Sequence, residues 1–540
     1  MIQKLNKLNK LNNRKGPVVL IILDGVGIGK DTEANAIYKA KSPFLDSLKQ
    51  HNLYCELKAH GKAIGMPTDE DMGNSEVGHN ALGAGRIYDQ GSLLVKRAIE
   101  SSSIYSNKTW IEGLSNCKKH NSTLHFIGLL SDGNVHNHID YQLKIIEKSA
   151  QEYTKIRLHI LLDGRDVEAR SALTYIKKLN QLITTLQKKN IDIKIASGGG
   201  RMITTMDRYN ADWSIVERGY NAHVHGIGNS VKSAEEAITR AYESDFNLND
   251  QYIPPFVICE NNKPVGIIQD NDTVFFTNFR GDRSIEISQA FENKNFNKFN
   301  RKNHPNIFYA GMMQYDGDKQ IPKNFLVTPP QIKNCLSEFL CHENISSFAI
   351  SETQKYGHVT YFWNGNKSGY VNKSLESFHE IKSDTIPFNE APDMKAYEIT
   401  EKTLELLNSN NYKFGRINFP NGDMVGHTGD IKATIQSIET IDICTKKLVD
   451  KILKLNGIAI ILADHGNADE MFTIKNNIKL PKTSHTLNPV PCAIFDSNYQ
   501  NEYKINTKEK FGLANIASTI LELLDLSPPK IYYKSILEFK

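Results

Sequence analysis

The chain has 540 residues, with 65 Lys and Arg against 61 Asp and Glu; at roughly 150 residues per domain it has room for about three or four domains, or fewer large ones. Five of the basic residues, Lys4, Lys7, Lys10, Arg14 and Lys15, fall in the first sixteen positions with no acid among them, which leaves 60 basic against 61 acidic side chains in the remainder. A near-neutral body lacks the clustered basic face that general nucleic-acid binding needs, and apolar runs no longer than Val18–Leu23 or Ile458–Ala463 fall far short of the roughly 20 residues that cross a bilayer.

In chain order, residues 1–16 carry the repeat KLNKLNKLN. Its period of three matches no packed helix stripe, so the segment is expected to be a disordered basic tail, with an organelle-targeting peptide as the lesser reading. Order is expected from Pro17. The run Val18–Leu23 is cut off by Asp24 with no small-residue cleavage site after it, which argues against a secretory signal. From there, short β-branched runs alternate with helical segments, the pattern of an α/β protein with mainly parallel sheets. The predicted strands are 18–23, 123–129, 157–162, 193–197, 273–276, 306–311, 347–350, 414–419 and 457–463. The seven cysteines, at 55, 117, 259, 335, 341, 444 and 492, show no CxxC spacing and read as reduced thiols of a cytoplasmic protein.

Several strands run straight into polar clusters: Asp24-Gly, Ser131-Asp-Gly, Asp163-Gly-Arg-Asp, Ser197-Gly-Gly-Gly-Arg and Asp464-His. Ligands of open α/β sheets collect at the carboxyl ends of strands, so five such clusters point to a site. Two stretches look like domain crossings, Ala81–Gly85 and Val327–Pro330, and the segment of about 240 residues between them reads as a domain inserted into another. The expected division is 17–88 and 329–540 for an outer domain and 89–328 for the insertion.

Asp24, Asp423 and His427 in NGDMVGHTG, Asp464 and His465 in LADHGNADE, and His485 in TSHT are carboxylates and imidazoles without thiolates. That donor mix suits Mn²⁺, Zn²⁺, Mg²⁺ or Co²⁺ rather than a structural zinc knot. Asp423 and His427, four apart, reach one ion from a loop or a helix face; Asp464 and His465, adjacent, serve two ions or one at a bend. Singly, an Asp-Gly after a strand is a turn; together with the Asp464-His465-Gly turn after a buried strand the set favours metal. In MGNSEVGHNALGAGR, Ser75 opens a helix. Serine there is ordinarily a cap, but a helix N-terminus also favours an alkoxide and a phosphate ester. The inserted segment supplies His136, Arg165, Asp166, Arg201, Arg208, Arg280 and Arg283, and the outer segment Lys355. Arginines in Gly-containing turns suit bidentate recognition of phosphate and carboxylate.

The motifs LDGVGIG, MGNSEVGHNALGAGR, SDGNVHNH, DGRD, GGGRM, NFRGDR, SETQKYGHVTYFWNG, NFPNGDMVGHTG and ADHGNADEM closely resemble those of the cofactor-independent phosphoglycerate mutases of the alkaline-phosphatase-like metalloenzyme superfamily, from about Pro17 to the C-terminus. The resemblance implies an alkaline-phosphatase-like α/β domain with a second α/β phosphotransferase domain inserted into it. It implies a binuclear centre, usually with Mn²⁺ and in some members another divalent ion, and no requirement for 2,3-bisphosphoglycerate. One ion would be held by Asp423, His427 and His485, the other by Asp24, Ser75, Asp464 and His465. Ser75 would accept the phosphoryl group. His136, Arg165, Asp166, Arg201, Arg208, Arg280, Arg283 and Lys355 would bind phosphoglycerate, with Asp166 as acid/base; the eight residues from Arg201 to Arg208 leave open which of the two lies closer to substrate. The implied activity is interconversion of 3- and 2-phosphoglycerate in glycolysis and gluconeogenesis by a cytoplasmic monomer, with no nucleic-acid or membrane partner. A hydrolase or phosphopentomutase on the same metal fold is the rival, and the full DGRD, GGGR and NFRGDR set argues against it.

Overall fold

The computed structural model describes residues 2–11, 14–66, 68–89, 91–208, 211–316, 319–329, 332–475 and 478–540. The fold is α/β, and the chain divides into two compact units, Met1–Asp89 together with Gln331–Lys540, and Gln90–Pro330, each built around its own hydrophobic core. Of the second crossing stretch, Pro330 lies outside the described residues.

In the first unit the fully buried run Val18–Leu23 takes the middle of an eight-stranded sheet. The strand order is Glu376–Ile381, Ser347–Glu352, Phe414–Phe419, Val18–Leu23, Ile458–Leu462, Val490–Asp496, Tyr54–Lys58, Phe511–Gly512. The first five strands are parallel, and near-continuous apolar runs are what a parallel sheet covered on both faces requires. Register is tight at their carboxyl ends: Leu23 pairs with Phe419 and Ile22 with Leu462, so the loops that follow emerge level with one another. The 24-residue helix Ile431–Lys454 is capped by Asp430 and buries Ile438, Ile441, Leu448 and Ile452, an apolar stripe at helical spacing.

The second unit repeats the plan. Its strands run Phe308–Gly311, Thr273–Phe276, Leu124–Leu129, Lys155–Leu162, Asp192–Gly200, Phe256–Glu260, Asn229–Val231, the first five parallel and Phe256–Glu260 antiparallel to Asp192–Gly200. All nine predicted strands occur, with ends that differ by a few residues.

The N-terminal segment corrects the expectation of a disordered tail. Leu5 and Leu11 are buried in the core of the first unit, the Leu5 N–H donates to Glu343 Oε1 at 2.7 Å, the Lys10 N–H to Asp525 Oδ1 at 2.9 Å, and Arg14 Nη2 pairs with Asp496 at 2.8 Å. A period of three suits no α-helix, but docking needs none: Leu5 and Leu11 enter the core from a non-helical segment. Among the described residues, no helix is long and apolar enough to cross a membrane, and all seven cysteines are free.

Candidate active site

Four neighbouring parallel strands of the first unit deliver polar side chains at their carboxyl ends: Lys355 beyond Ser347–Glu352, Asp423 beyond Phe414–Phe419, Asp24 beyond Val18–Leu23, and Asp464 with His465 beyond Ile458–Leu462. His485 enters from the loop before Val490–Asp496, and Ser75 from the helix Ser75–Ala84. Every one of them is buried. Gly25 lets two of these segments touch: its φ is +78°, and a Cβ there would lie 2.5 Å from the Asp423 backbone nitrogen.

The cap of the serine helix is Asn74, whose side chain accepts from the Val77 N–H at 3.2 Å. Ser75 is therefore the first helical residue, and its hydroxyl is released from capping. That hydroxyl lies 3.2 Å from Asp24 Oδ1 and 2.9 Å from His465 Nε2, and it is in hydrogen-bond contact with Lys355 Nζ. Lys355 also pairs with Asp24 at 2.8 Å and Asp423 at 2.7 Å.

Three imidazoles are held in one orientation. His427 Nδ1 contacts the Thr483 carbonyl at 2.5 Å, His485 Nδ1 the Gly73 carbonyl at 2.8 Å, and His465 Nδ1 the Gly466 carbonyl at 3.3 Å. A carbonyl only accepts, so each Nδ1 carries its hydrogen and, in the neutral ring, each Nε2 presents a lone pair. The Nε2 atoms of His427 and His485 stand 3.0 Å apart, both within 3.0 Å of Asp423 Oδ1. Asp464 is buried with neither carboxylate oxygen hydrogen-bonded, and His79 Nδ1 is 3.3 Å from it. Such a convergence of acceptors fits a cation. The ligand atoms of Asp423, His465 and His485, and of Asp24, Asp464 and His465, each lie within 4.8 Å of one another. Burial by itself would raise Asp24 and Asp423, but Lys355 beside Asp24, and His427 and Lys355 beside Asp423, hold both carboxyls well below the usual range. Burial would lower His465; the Asp464 carboxylate and then the hydrogen bond that His465 donates to Asp24 outweigh it and raise the imidazole to about 9.

Several contributors here were not read from the sequence. Asn418 donates to Asp24 Oδ2 at 2.8 Å and Asn467 to Asp423 Oδ1 at 3.3 Å, orienting the carboxylates. Asp469 accepts from Thr486 at 2.9 Å and Asn488 at 2.6 Å, tying the His485 loop to the Asp464 loop. His79 stands four residues after Ser75, a spacing that was available as a signal.

In the second unit, His136, Arg165, Asp166, Arg201, Arg208, Arg280 and Arg283 are also buried, in the loops at the carboxyl ends of Leu124–Leu129, Lys155–Leu162, Asp192–Gly200 and Thr273–Phe276. Arg201 pairs with Asp163 at 2.8 Å and with Asp166. Arg208 and Arg280 reach Asp282 at 3.3 and 3.0 Å, and Arg283 Nη1 donates to the Met206 carbonyl at 2.6 Å. Asp163 and Asp282, which the sequence offered only as neighbours of the arginines, order this group. Five guanidiniums against the carboxylates of Asp163, Asp166 and Asp282 leave an excess of positive charge suited to an anion. Its effects are visible: burial, then Arg201 and Arg280, push His136 well below the ordinary histidine value, and burial, then Arg208 and Arg201, depress Arg283.

Residues 16–528 match a family model described as the metalloenzyme superfamily. The chain is 53% identical over 548 aligned positions to the probable 2,3-bisphosphoglycerate-independent phosphoglycerate mutase of Leptospira interrogans serogroup Icterohaemorrhagiae serovar copenhageni, covering 99% of both chains. It is 47% identical over 534 positions to the 2,3-bisphosphoglycerate-independent phosphoglycerate mutase of Trypanosoma brucei brucei, covering 96% of this chain and 97% of that one. The crystal structure of Leishmania mexicana phosphoglycerate mutase at low cobalt concentration superimposes with a TM-score of 0.98 at 46% identity over the full length of both chains. With its buried serine, its converging carboxylates and imidazoles and a full-length likeness at this level, the chain belongs to the 2,3-bisphosphoglycerate-independent phosphoglycerate mutases of the metalloenzyme superfamily.

Proposed function

We propose that this enzyme, an isomerase, interconverts 3-phosphoglycerate and 2-phosphoglycerate in glycolysis and gluconeogenesis, acting in the cytoplasm as a monomer through a phosphoserine on Ser75. The observation that carries the reading is the released Ser75 hydroxyl, buried within 3.2 Å of Asp24 and 2.9 Å of His465 and in contact with Lys355.

The donor set fits two divalent ions, Mn²⁺ foremost with Co²⁺, Mg²⁺ or Zn²⁺ as substitutes: Asp423, His427 and His485 would hold one, and Asp24, Ser75, Asp464 and His465 the other. When bound, they supply Lewis acidity that lowers the serine hydroxyl pKa and offsets phosphoryl charge. Three aspartates and a serine alkoxide balance two divalent ions, so the substrate's negative charge falls to Lys355 and to Arg165, Arg201, Arg208, Arg280 and Arg283, with His136 a neutral binding partner.

Ser75 Oγ attacks the phosphorus in line, the P–O3 bond breaks, and Asp166 delivers a proton to the departing O3. Lys355 donates to the transferring group. The second unit's guanidiniums retain glycerate by its carboxylate. Asp166 then takes the O2 proton as O2 attacks the phosphoserine, and the P–Oγ bond breaks to give 2-phosphoglycerate. The outer domain, 17–88 and 329–540, thus transfers the phosphoryl group and the insertion, 89–328, holds the glycerate.

The test is conversion of 3-phosphoglycerate coupled to enolase with no 2,3-bisphosphoglycerate added, with and without Mn²⁺. Metal-dependent turnover is expected; release of inorganic phosphate in place of 2-phosphoglycerate would sink the mutase reading.

A further inference from the structure

Outside the site, the second unit buries a continuous hydrogen-bonded chain of side chains that the reaction does not use. Asp272 Oδ2 lies 3.1 Å from His125 Nε2, and His125 Nδ1 lies 2.9 Å from His159 Nε2. His159 Nδ1 is 2.7 Å from Ser197 Oγ, Ser197 Oγ 2.8 Å from His223 Nδ1, and His223 Nε2 3.0 Å from Thr205 Oγ1. All six residues are buried, His125, His159, His223 and Thr205 completely. Three histidines with polar partners at both ring nitrogens are a costly thing to bury for packing alone.

Local irregularities assemble the chain. The ladder between Lys155–Leu162 and Asp192–Gly200 slips at one point: Leu158 pairs with Ile195, but His159 pairs with Ser197. The extra residue, Ala196, makes a bulge that turns the serine toward the histidine, a common use of bulges. His223 sits in a one-turn π segment, Asn221–His225, which continues the helix Trp213–Tyr220; such turns re-aim side chains at functional places.

Elementary hydrogen-bond accounting fixes the direction. Both oxygens of Asp272 accept, one from the Thr123 N–H at 2.7 Å and the other from the Gln269 N–H at 2.8 Å as well as from His125. His125 therefore donates from Nε2 and accepts at Nδ1; His159 donates to it and accepts from the Ser197 hydroxyl; Ser197 accepts from His223 Nδ1–H. A neutral imidazole has one N–H, which leaves His223 Nε2 as an acceptor for the Thr205 hydroxyl. Each donor is used once, and the whole chain is satisfied with three neutral rings, in keeping with burial that holds all three histidines below their ordinary value.

The far end is the turn that carries Arg201 and Arg208. Thr205 has φ +73°, a left-handed conformation that a β-branched residue adopts only under constraint. Its N–H donates to the Ile215 carbonyl at 2.9 Å, and the helix Trp213–Tyr220 can press against it because residue 219 is glycine: a Cβ there would stand 2.1 Å from Thr205 Oγ1. The next residue, Met206, offers the carbonyl that accepts from Arg283.

We propose that Thr205, His223 and Ser197 are positioning residues for glycerate binding, the buried relay from Asp272 pinning the strained apex of the turn so that Arg201, Arg208 and Arg283 face substrate in register. This rests on the reading of Arg201 and Arg208 as substrate ligands. None of the relay residues touches the reacting atoms.

The test is steady-state kinetics of the metal-loaded full chain with 3-phosphoglycerate. Thr205→Val keeps the branching and removes the hydroxyl; Ser197→Ala interrupts the relay two residues' side chains away. Each is expected to raise KM about tenfold with kcat changed less than threefold, the pattern of lost uniform binding, while Thr205→Ser restores KM to within twofold of wild type. Unchanged KM in both folded variants overturns the proposal. Arg201→Ala runs beside them: if it leaves KM unchanged, the substrate-ligand reading itself falls, whereas a raised KM there with normal Thr205→Val and Ser197→Ala kinetics removes the relay alone. Should the variants fail to fold, imidazole ¹⁵N NMR of the wild-type protein loaded with a diamagnetic divalent ion decides: His223 must be the Nδ1–H tautomer at pH 7, and an Nε2–H tautomer overturns the proposal.

Discussion

His427 and His485 point their Nε2 atoms at each other across 3.0 Å, while each gives its Nδ1 hydrogen to a backbone carbonyl. Two ring nitrogens facing at that distance, with Asp423 Oδ1 at 2.9 and 3.0 Å, need a proton or a cation among them, and a divalent ion serves all three at once. Metal binding is therefore expected to stabilise the fold, by about 2.7 kcal/mol at a free metal concentration one hundred times Kd. Thermal unfolding after chelation and again after Mn²⁺ is restored checks this; identical Tm values would count against a metal site here.

His465 adds a proton to that exchange. In the metal-free protein its value of about 9 lies above the ordinary 6.5, so it contributes stability that is full below about pH 6.5 and lost as pH rises through 9. As a ligand it must be neutral, so metal loading at pH 7.5 is expected to release about one proton from this residue. Calorimetric metal titrations in buffers of different ionisation enthalpy measure it; a binding enthalpy independent of buffer contradicts it.

Ser75→Ala removes one of seven proposed ligands and the only proposed phosphoryl acceptor, so it is expected to abolish turnover by more than a thousandfold, a loss of about 4 kcal/mol in transition-state stabilisation, with metal content nearly unchanged. Asp166→Asn is expected to lower kcat far more than it alters KM. Mutase turnover by metal-loaded Ser75→Ala, or a normal kcat for Asp166→Asn, would remove the corresponding role.

The three histidines of the buried relay, His125, His159 and His223, have the opposite sign to His465. Burial lowers all of them, His223 to about 3, with Asp272 opposing and Arg157 and Lys155 reinforcing the shift at His125. The unfolded chain takes up protons near pH 6.5 that the fold refuses. Stability is thus full above pH 6.5 and declines as pH falls below it, by up to about 1.4 kcal/mol per pH unit for each histidine. Urea unfolding between pH 7 and 5 reads the slope, and a flat profile would be inconsistent with neutral buried rings.

The N-terminal segment carries a stability prediction without a catalytic one. Leu11 is 4% exposed, and Leu11→Ala is expected to cost about 2–3 kcal/mol while leaving KM and kcat unchanged. A Tm equal to wild type would mean that the segment does not dock in solution.

The parallel strands were legible because a strand buried on both faces must be an unbroken apolar run, as VVLIIL and IAIIL are. Edge and antiparallel strands such as Tyr54–Lys58 and Glu376–Ile381 were not, since half-exposed strands mix polar and apolar residues. Asp24, Asp464 and His465 stood out by following such runs directly. Asn418, Asp469 and Asp282 did not, because an amide or carboxylate that orients another side chain has no local pattern; its partner is fixed only in three dimensions. The tail was misread through its period: a repeat of three fits no helix stripe, yet Leu5 and Leu11 dock in the core without a helix.

The middle of the first sheet also sets an order of events in synthesis. Val18–Leu23 leaves the ribosome early, but both strands that flank it, Phe414–Phe419 and Ile458–Leu462, come from beyond the inserted unit. At roughly 5–20 residues per second, that apolar strand waits on the order of 20–80 seconds for its first neighbour, while the whole of Gln90–Pro330 is made in between and has the contacts to fold alone. The candidate site, which needs Asp423, Asp464, His465 and His485 beside Asp24 and Ser75, is therefore among the last parts of the chain to assemble.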